Sequence, residues 1–380
     1  MSEFDDIMGS PREPSEAGCV GKGEKAMTDG EAPLAGIRYL QGLFDALPGE
    51  EREQRWLQER LATLSVREGI ALSAAMLRTQ PPTAMDAINC LQSLDDYRIH
   101  INTGSYEALG HAYLRNETRM PQSALPFVDL EQTGRYYADQ HPGLFIGDCY
   151  VEYPKKEIQP AYGGQDAPLP EDNDWSVKLK IASDAVPEGV WLRLPGWDPY
   201  GGGGSVDEEL ALRELKARYW GDCTLLDARC ILPQAGNLME QYDNVADLLY
   251  DGISLGFILD EHGQGSPDFM ERYAAALELE HCRTLRLALD ISQNLKCYDY
   301  VPHADLEESA RGLLLDAGVS EELIHACGID LAGYKAHLLE EDGYSPTADG
   351  SYIRRNYKEF HYSYSTPIPE ESGMLMQYYY

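Results

Sequence analysis

Positive charge is what this sequence has least of. Its 380 residues hold 31 Lys and Arg against 64 Asp and Glu, a formal charge of −33. Proteins that bind nucleic acid by neutralising phosphates need basic surface, and so do proteins that bind anionic membranes. Neither direct nucleic-acid binding nor membrane binding is therefore expected. No run approaches the roughly 20 apolar residues of a membrane span. Acids are scattered through residues 1–33 with no apolar core segment, so no signal peptide is expected and the cytoplasm is the expected location. The eight cysteines (Cys19, Cys90, Cys149, Cys223, Cys230, Cys282, Cys297, Cys327) are dispersed with no C-x-x-C, the pattern of reduced intracellular thiols.

Enzyme motifs are also scarce. The glycine run Gly201–Gly204 is followed by Ser205 and Val206, without the lysine of a phosphate-binding loop. Asp207, Glu208 and Glu209 stand where that loop's helix would begin and would repel phosphate. There is no H-E-x-x-H. His281-Cys282 and His303-Ala304-Asp305 lack the spaced partners of a zinc site. Carboxylates are so numerous that no pair stands out as general acid and base. No cofactor, metal or catalytic residue is expected, and the chain does not read as an enzyme.

What is present is acid, throughout. Residues 1–174 carry 29 acids against 15 bases, and residues 175–380 carry 35 against 16. The surplus equals the charge on about 56 Å of duplex DNA, at one charge per roughly 1.7 Å. Cys230 to Glu271 contains no Lys or Arg and eight carboxylates: Glu240, Asp243, Asp247, Asp251, Asp260, Glu261, Asp268 and Glu271. Asn237 to Tyr250 has helical apolar spacing through Leu238, Tyr242, Val245, Leu248 and Leu249. That register sets Glu240, Asp243, Asp247 and Asp251 in one stripe, with no nearby cation to offset them. The stripe reads either as a solvated helix face or as a row of charges standing in for phosphates.

The pattern predicts an α+β chain of small modules. Residues 1–33 read as a disordered tail and 34–153 as a mostly helical module, with helices over 34–47, 50–64, 65–77, 83–94, 105–114 and 130–140. Strands are expected over 97–101 and 144–153. The Pro-, Gly- and acid-rich stretch 154–174 reads as a linker. Paired strands follow at 175–181 and 190–194, then a helix over 207–219 and a strand over 223–232. Helices are expected over 237–250, near 253–259, and over 267–279, 284–291, 304–317, 320–326 and 331–339. Residues 296–301 read as extended, and 358–380 as a second disordered tail. No internal repeat stands out.

Residues 175–356 resemble the ArdA-type antirestriction proteins of mobile elements. Glu188-Gly-Val-Trp-Leu-Arg-Leu-Pro195 is similar to that family's early G-x-W-x-x-L-P element. Met239-Glu240-Gln241-Tyr242 falls in the acidic middle. Ser320-Glu-Glu-Leu-Ile324, Ile329-Asp330-Leu-Ala-Gly-Tyr334-Lys-Ala-His-Leu338, Gly343-Tyr344 and Gly350-Ser-Tyr352 resemble its closing pattern. The resemblance implies an elongated chain of small α/β modules with three units in a row, 175–232, 233–281 and 282–357. It implies an acidic mimic of bent DNA that occupies the DNA site of a type I restriction–modification complex and protects an incoming element. A CRISPR nuclease as target, or a protein-interaction module without mimicry, are the alternatives. The implied surface comprises Asp207, Glu208, Glu209, Glu240, Asp243, Asp247, Asp251, Asp260, Glu261, Asp268 and Glu271. Family members dimerise through the last unit, so a homodimer would form around Ile329, Tyr334 and Leu338. The helical module over 34–153 lies outside the resemblance.

Overall fold

Helices begin where the apolar spacing and the caps agree. The structure, a computed structural model, describes residues 44–79, 81–156, 159–164, 166–196, 205–263 and 268–366, the side chains of 261–263 excepted. The expected tail over 1–33, most of the helix over 34–47, the Gly201–Gly204 loop and the chain after 366 lie outside the described residues. Helices α1 (Glu51–Leu61), α2 (Val66–Thr79) and α3 (Ala84–Gln92) come first. Ser65 and Glu68 close a capping box on α2: the Ser65 N–H donates to Glu68 Oε2 at 2.8 Å, and the Glu68 N–H to Ser65 Oγ at 3.2 Å. Next come β1 (Arg98–His100), α4 (Tyr106–Asn116), α5 (Leu130–Gln140) and a hairpin of β2 (Gly143–Ile146) and β3 (Cys149–Glu152). The alternation over 144–153 predicts one strand. The structure makes two, because the chain turns at Gly147 with φ +56°.

The middle of the chain is a hairpin of β4 (Val177–Ser183) and β5 (Val186–Leu194), then α6 (Val206–Glu214), β6 (Cys223–Cys230) and the 19-residue α7 (Val245–Gly263). The last part holds α8 (Phe269–Leu279), α9 (Leu285–Gln293), β7 (Tyr298–Val301), α10 (Leu306–Asp316), α11 (Glu321–Cys327), α12 (Leu331–Glu341), β8 (Ser345–Pro346) and β9 (Tyr352–Arg355). The described sheets are antiparallel and three-stranded, in the orders β1-β3-β2, β5-β4-β6 and β7-β9-β8. The fold class is α+β. Among the described residues no helix is long and apolar enough to cross a membrane.

The first and last sheets reveal a repeat that the sequence hides. Both are built from two helices, a 3-10 turn, an edge strand, two 11-residue helices with a shorter helical segment between them (3-10 over Gln122–Phe127 in the first, α11 in the second), and a hairpin whose second strand is central. At a constant separation of 201 positions (Thr83 to Thr284), buried residues match: Leu72 with Tyr273, Ala74 with Ala275, Ala75 with Ala276, Ala87 with Ala288, Ile88 with Leu289, and Tyr97 with Tyr298. The caps match as well. Thr83 and Thr284 accept from the N–H groups of Asp86 and Leu287, and Asp129 and Asp330 from those of Gln132 and Gly333. One extra residue in the second hairpin turn makes the separation 202 thereafter, pairing Tyr150 with Tyr352 and Val151 with Ile353. Even the returning chain repeats. Asn89 exchanges hydrogen bonds with the Tyr162 backbone at 2.8 and 3.0 Å, and Asp290 accepts from the N–H groups of Ser363, Tyr364 and Ser365.

These contacts correct two expectations. The stretch 154–174 is not a linker between separate cores, because one apolar cluster runs from Phe44 to Ile353 and includes Tyr162. Arg52 donates to Gly164 O at 3.0 Å and Trp56 Nε1 to Pro170 O at 2.9 Å, which ties this stretch to α1. The expected tail from 358 is held through 363–365 by Asp290.

In the first repeat, α4 and α5 approach at two glycines. A Cβ on Gly134 would lie 1.8 Å from Tyr106 O, and one on Gly110 2.0 Å from Leu130 O. Alanine in place of Gly134 gains about 1 kcal/mol in helix propensity. The clash is with backbone, which no rotamer change relieves, and overpacking costs about 1–3 kcal/mol. Gly134→Ala is expected to lower the melting temperature, and a higher one would contradict this packing.

Candidate acidic interaction surface

The acidic stretch folds differently from the expected stripe. Asn244 accepts the Asp247 N–H at 2.9 Å, so α7 starts at Val245 and leaves Asp243 outside it. Glu240 sits in a separate 3-10 turn, Leu238–Glu240. Tyr242 is buried, and its hydroxyl donates to Asp251 at 2.7 Å. Asp251 is only 3% exposed and also accepts from Arg286 Nε at 2.9 Å. Arg286 lies 3.6 Å from Asp247 as well. Asp251 is therefore a core carboxylate and not part of an exposed surface. The offsetting cation that the local sequence lacks arrives from α9. Burial, followed by Asp251, holds the Tyr242 hydroxyl well above the usual phenol range. Removing Arg286 would leave Asp251 half-satisfied. Since Arg286 is 44% exposed, Arg286→Ala is expected to cost about 2 kcal/mol in urea unfolding, below the range for a fully buried pair.

Asp207 is the second correction. It is 3% exposed and pairs with Arg67 Nε at 3.2 Å, joining α6 to α2. Glu208 is half-buried and burial raises its pKa, against hydrogen bonds from Trp220 and Ser205. Glu209, Glu240, Asp243, Asp247, Asp260, Asp268 and Glu271 are exposed. Burial, and then Asp174, raises the Asp260 pKa. Glu261 lies within α7, and its side chain is outside the described residues.

The repeat adds acids that the sequence reading missed. Glu107, Asp129, Asp139 and Asp148 are exposed, and so are Glu308, Asp330, Glu340 and Asp349, each 201 positions later. Some have local reasons to be acidic. Asp129 and Asp330 cap helices, Glu107 and Glu308 stand in first turns, and Asp148 pairs with Arg213. Asp139 and Glu340 have the opposite context. They occupy the last turns of α5 and α12, where the helix dipole disfavours a carboxylate by about 0.3–1 kcal/mol.

A buried polar network also escaped the sequence reading. Glu152 on β3 is 3% exposed. Its Oε1 lies 2.6 Å from His100 Nε2 and accepts from the Tyr137 hydroxyl. Its Oε2 lies 3.5 Å from His141 Nδ1. Burial pushes the Glu152 carboxyl up, but the His100 and Tyr137 hydrogen bonds outweigh it and lower its pKa to about 2. The same strand position in the second repeat carries the reversed pair: Arg98 faces Glu152, and Asp299 faces Arg354. His100 and Tyr137 give way there to Val301 and Leu338.

Among the dimer candidates, Ile329 and Tyr334 are exposed at 37% and 36%, and Leu338 is half-buried. Leu323, 52% exposed, belongs to the same unit. No protein-family model, curated protein or solved structure matches the chain. The ArdA resemblance thus stands on its sequence segments, which fall on β5, the 3-10 turn before α7, the α11–α12 pair and the β8–β9 hairpin.

Proposed function

We propose that this chain is an antirestriction protein: an acidic mimic of DNA that occupies the DNA-binding groove of a host defence enzyme, with a type I restriction–modification complex as the target. The observation that carries this reading is the set of exposed carboxylates on all three sheet-bearing parts of the chain, recurring at matched positions in both repeats. Asp139 weighs most, because it stands against its own helix dipole; Glu340 shares that position but also accepts from the Tyr352 hydroxyl. The mechanism is occupancy. Carboxylates meet a basic groove, long-range attraction speeds encounter, and no bond is made or broken. The working surface comprises Glu209, Glu240, Asp243, Asp247, Asp260, Asp268 and Glu271, together with the matched acids of the repeats. Asp207 and Asp251 act inside the fold. Ile329, Tyr334 and Leu323 form the contact of a homodimer. The test is inhibition of a purified type I complex at low salt with duplex DNA as competitor. Inhibition that excess duplex does not relieve would rule out a shared site.

A further inference from the structure

The two repeats differ most in the segment that joins their 11-residue helices. At the constant separation of 201, residues 115–128 between α4 and α5 match residues 316–329 between α10 and α12. In the first repeat this segment ends in an apolar knob. Phe127 is 90% exposed and Met120 40%. Exposed apolar groups gathered on one segment mark an interaction site. In the second repeat Gly328 holds the position of Phe127. It ends α11 at φ +58°, a conformation that glycine adopts without strain. A cavity of about 490 Å³ opens there, lined in part by Ile324, Gly328, Ile329 and Leu331. These lining residues lie in one stretch, 311–331, that is described throughout. Pockets of about 300–1,000 Å³ hold drug-sized ligands, so an aromatic ring fits.

The charges of the two segments are opposed. Residues 115–128 contain Arg115, Arg119 and one carboxylate, Glu117, which Arg98 and the Tyr137 hydroxyl each hold at 3.2 Å. Arg115 and Arg119 are exposed and have no ion pair among the described residues, in a chain with twice as many acids as bases. Residues 316–329 contain Asp316, Glu321 and Glu322 and no Lys or Arg. Arg311 takes Glu321, whereas Asp316 and Glu322 are exposed with no ion pair among the described residues. Neither segment suits its own copy. The second against itself would bring Asp316 and Glu322 of two chains together, and the first would do the same with Arg115 and Arg119. Like charges in a contact suppress it. The first segment against the second sets knob to hollow and cation to carboxylate.

We propose that two copies of this chain pair through unlike segments: Phe127 of one copy seats in the hollow at Gly328 of the other, with Arg115 and Arg119 against Asp316 and Glu322. Ile329 faces the partner's Phe127 in this arrangement, which rests on the last unit carrying the homodimer contact. Sedimentation velocity of the full chain over a concentration series tests it. The parent chain is expected to associate. Phe127→Asp and Ile329→Asp are each expected to weaken self-association by about tenfold or more, the loss of an anchor and of its seat. Both residues are exposed in the single chain, so melting temperatures should hold. An equimolar mixture of the two variants is expected to recover association, because one keeps the hollow and the other keeps the knob. Arg119→Glu mixed with Glu322→Lys should behave in the same way, with charge alone exchanged. A mixture that stays monomeric overturns the pairing. Phe127→Asp that associates like the parent also overturns it and leaves a contact between two last units standing. A parent chain that is monomeric throughout removes the homodimer itself, and this pairing with it.

Discussion

Replacing Glu68 with alanine is expected to remove about 3–5 kcal/mol of unfolding free energy, the range for breaking a buried ion pair. Glu68 is 1% exposed and accepts from Arg60, while Arg193 Nη1 reaches it at 2.7 Å from β5. Asp172 reaches the same group through Arg60 at 3.7 Å and Arg193 at 3.6 Å. Without Glu68, two guanidinium groups face each other with only a partly exposed carboxylate between them, and the box that caps α2 loses one half. A domain stability of about 5–15 kcal/mol leaves little after such a loss. Alanine at Glu51, whose partner Arg55 is 66% exposed, is expected to change stability by no more than about 0.5 kcal/mol. Urea midpoints for the two variants make the comparison, and equal midpoints would remove the ion cluster from the account of stability.

The same residues set the acid limit. Burial alone would raise the Glu68 pKa, but Arg60 and Arg193 outweigh it and hold the carboxyl well below the usual range. Glu152 is depressed to about 2. A carboxylate whose folded pKa lies below its unfolded value stabilises the fold fully above the unfolded value. That contribution is lost as pH falls toward the folded value. Stability should therefore be flat near neutrality and fall between about pH 4.5 and 2, with a shallower fall in Glu152→Gln.

Raising salt from about 50 to 200 mM is expected to weaken binding to a type I complex by roughly 10–100-fold. That is less than the loss for a DNA ligand with six or more phosphate contacts, because a folded protein has no condensed counterion layer to release. Reversing Asp243 and Asp247 together to lysine should act mainly on the association rate, lowering it about tenfold or more and flattening the salt dependence. Asn244 still accepts the residue-247 N–H in that variant, but the contacts of the Asp247 carboxylate with Asn244 and Arg286 are lost, so its urea midpoint is measured beside its binding. Binding that ignores both salt and charge reversal would sink mimicry and leave an interaction module whose acidity serves solubility. Asp251→Asn is the contrasting case. It should lower stability through Arg286 and Tyr242 and leave the affinity of the folded fraction alone.

How far the chain was legible varied by element. Apolar spacing marked helices such as Leu130–Gln140, because that signal acts within a few residues; the structure adds the Asp129 cap. The short strands β8 and β9 went unseen, since two to four residues carry too little alternation to register. The acidic helix is expected from 237 but starts at Val245, about two turns later. Tyr242 fits a helical period, but Asn244 is the stronger cap and Asp251 draws Tyr242 inward.

Sequence alone determined the quantities that add without geometry: the net charge of −33, the surplus of acid in both halves of the chain, and the local helix and strand preferences. Tertiary structure decided which carboxylates face water. Asp243, Asp247 and Asp251 look alike in sequence, yet only the third meets Arg286, which lies 35 positions further along the chain. It also decided that residues 67–163 and 268–365 are two versions of one unit, as far as they are described. What repeats is burial, and burial tolerates Leu72 for Tyr273 or Ile88 for Leu289, so the likeness emerges only when both cores are assembled.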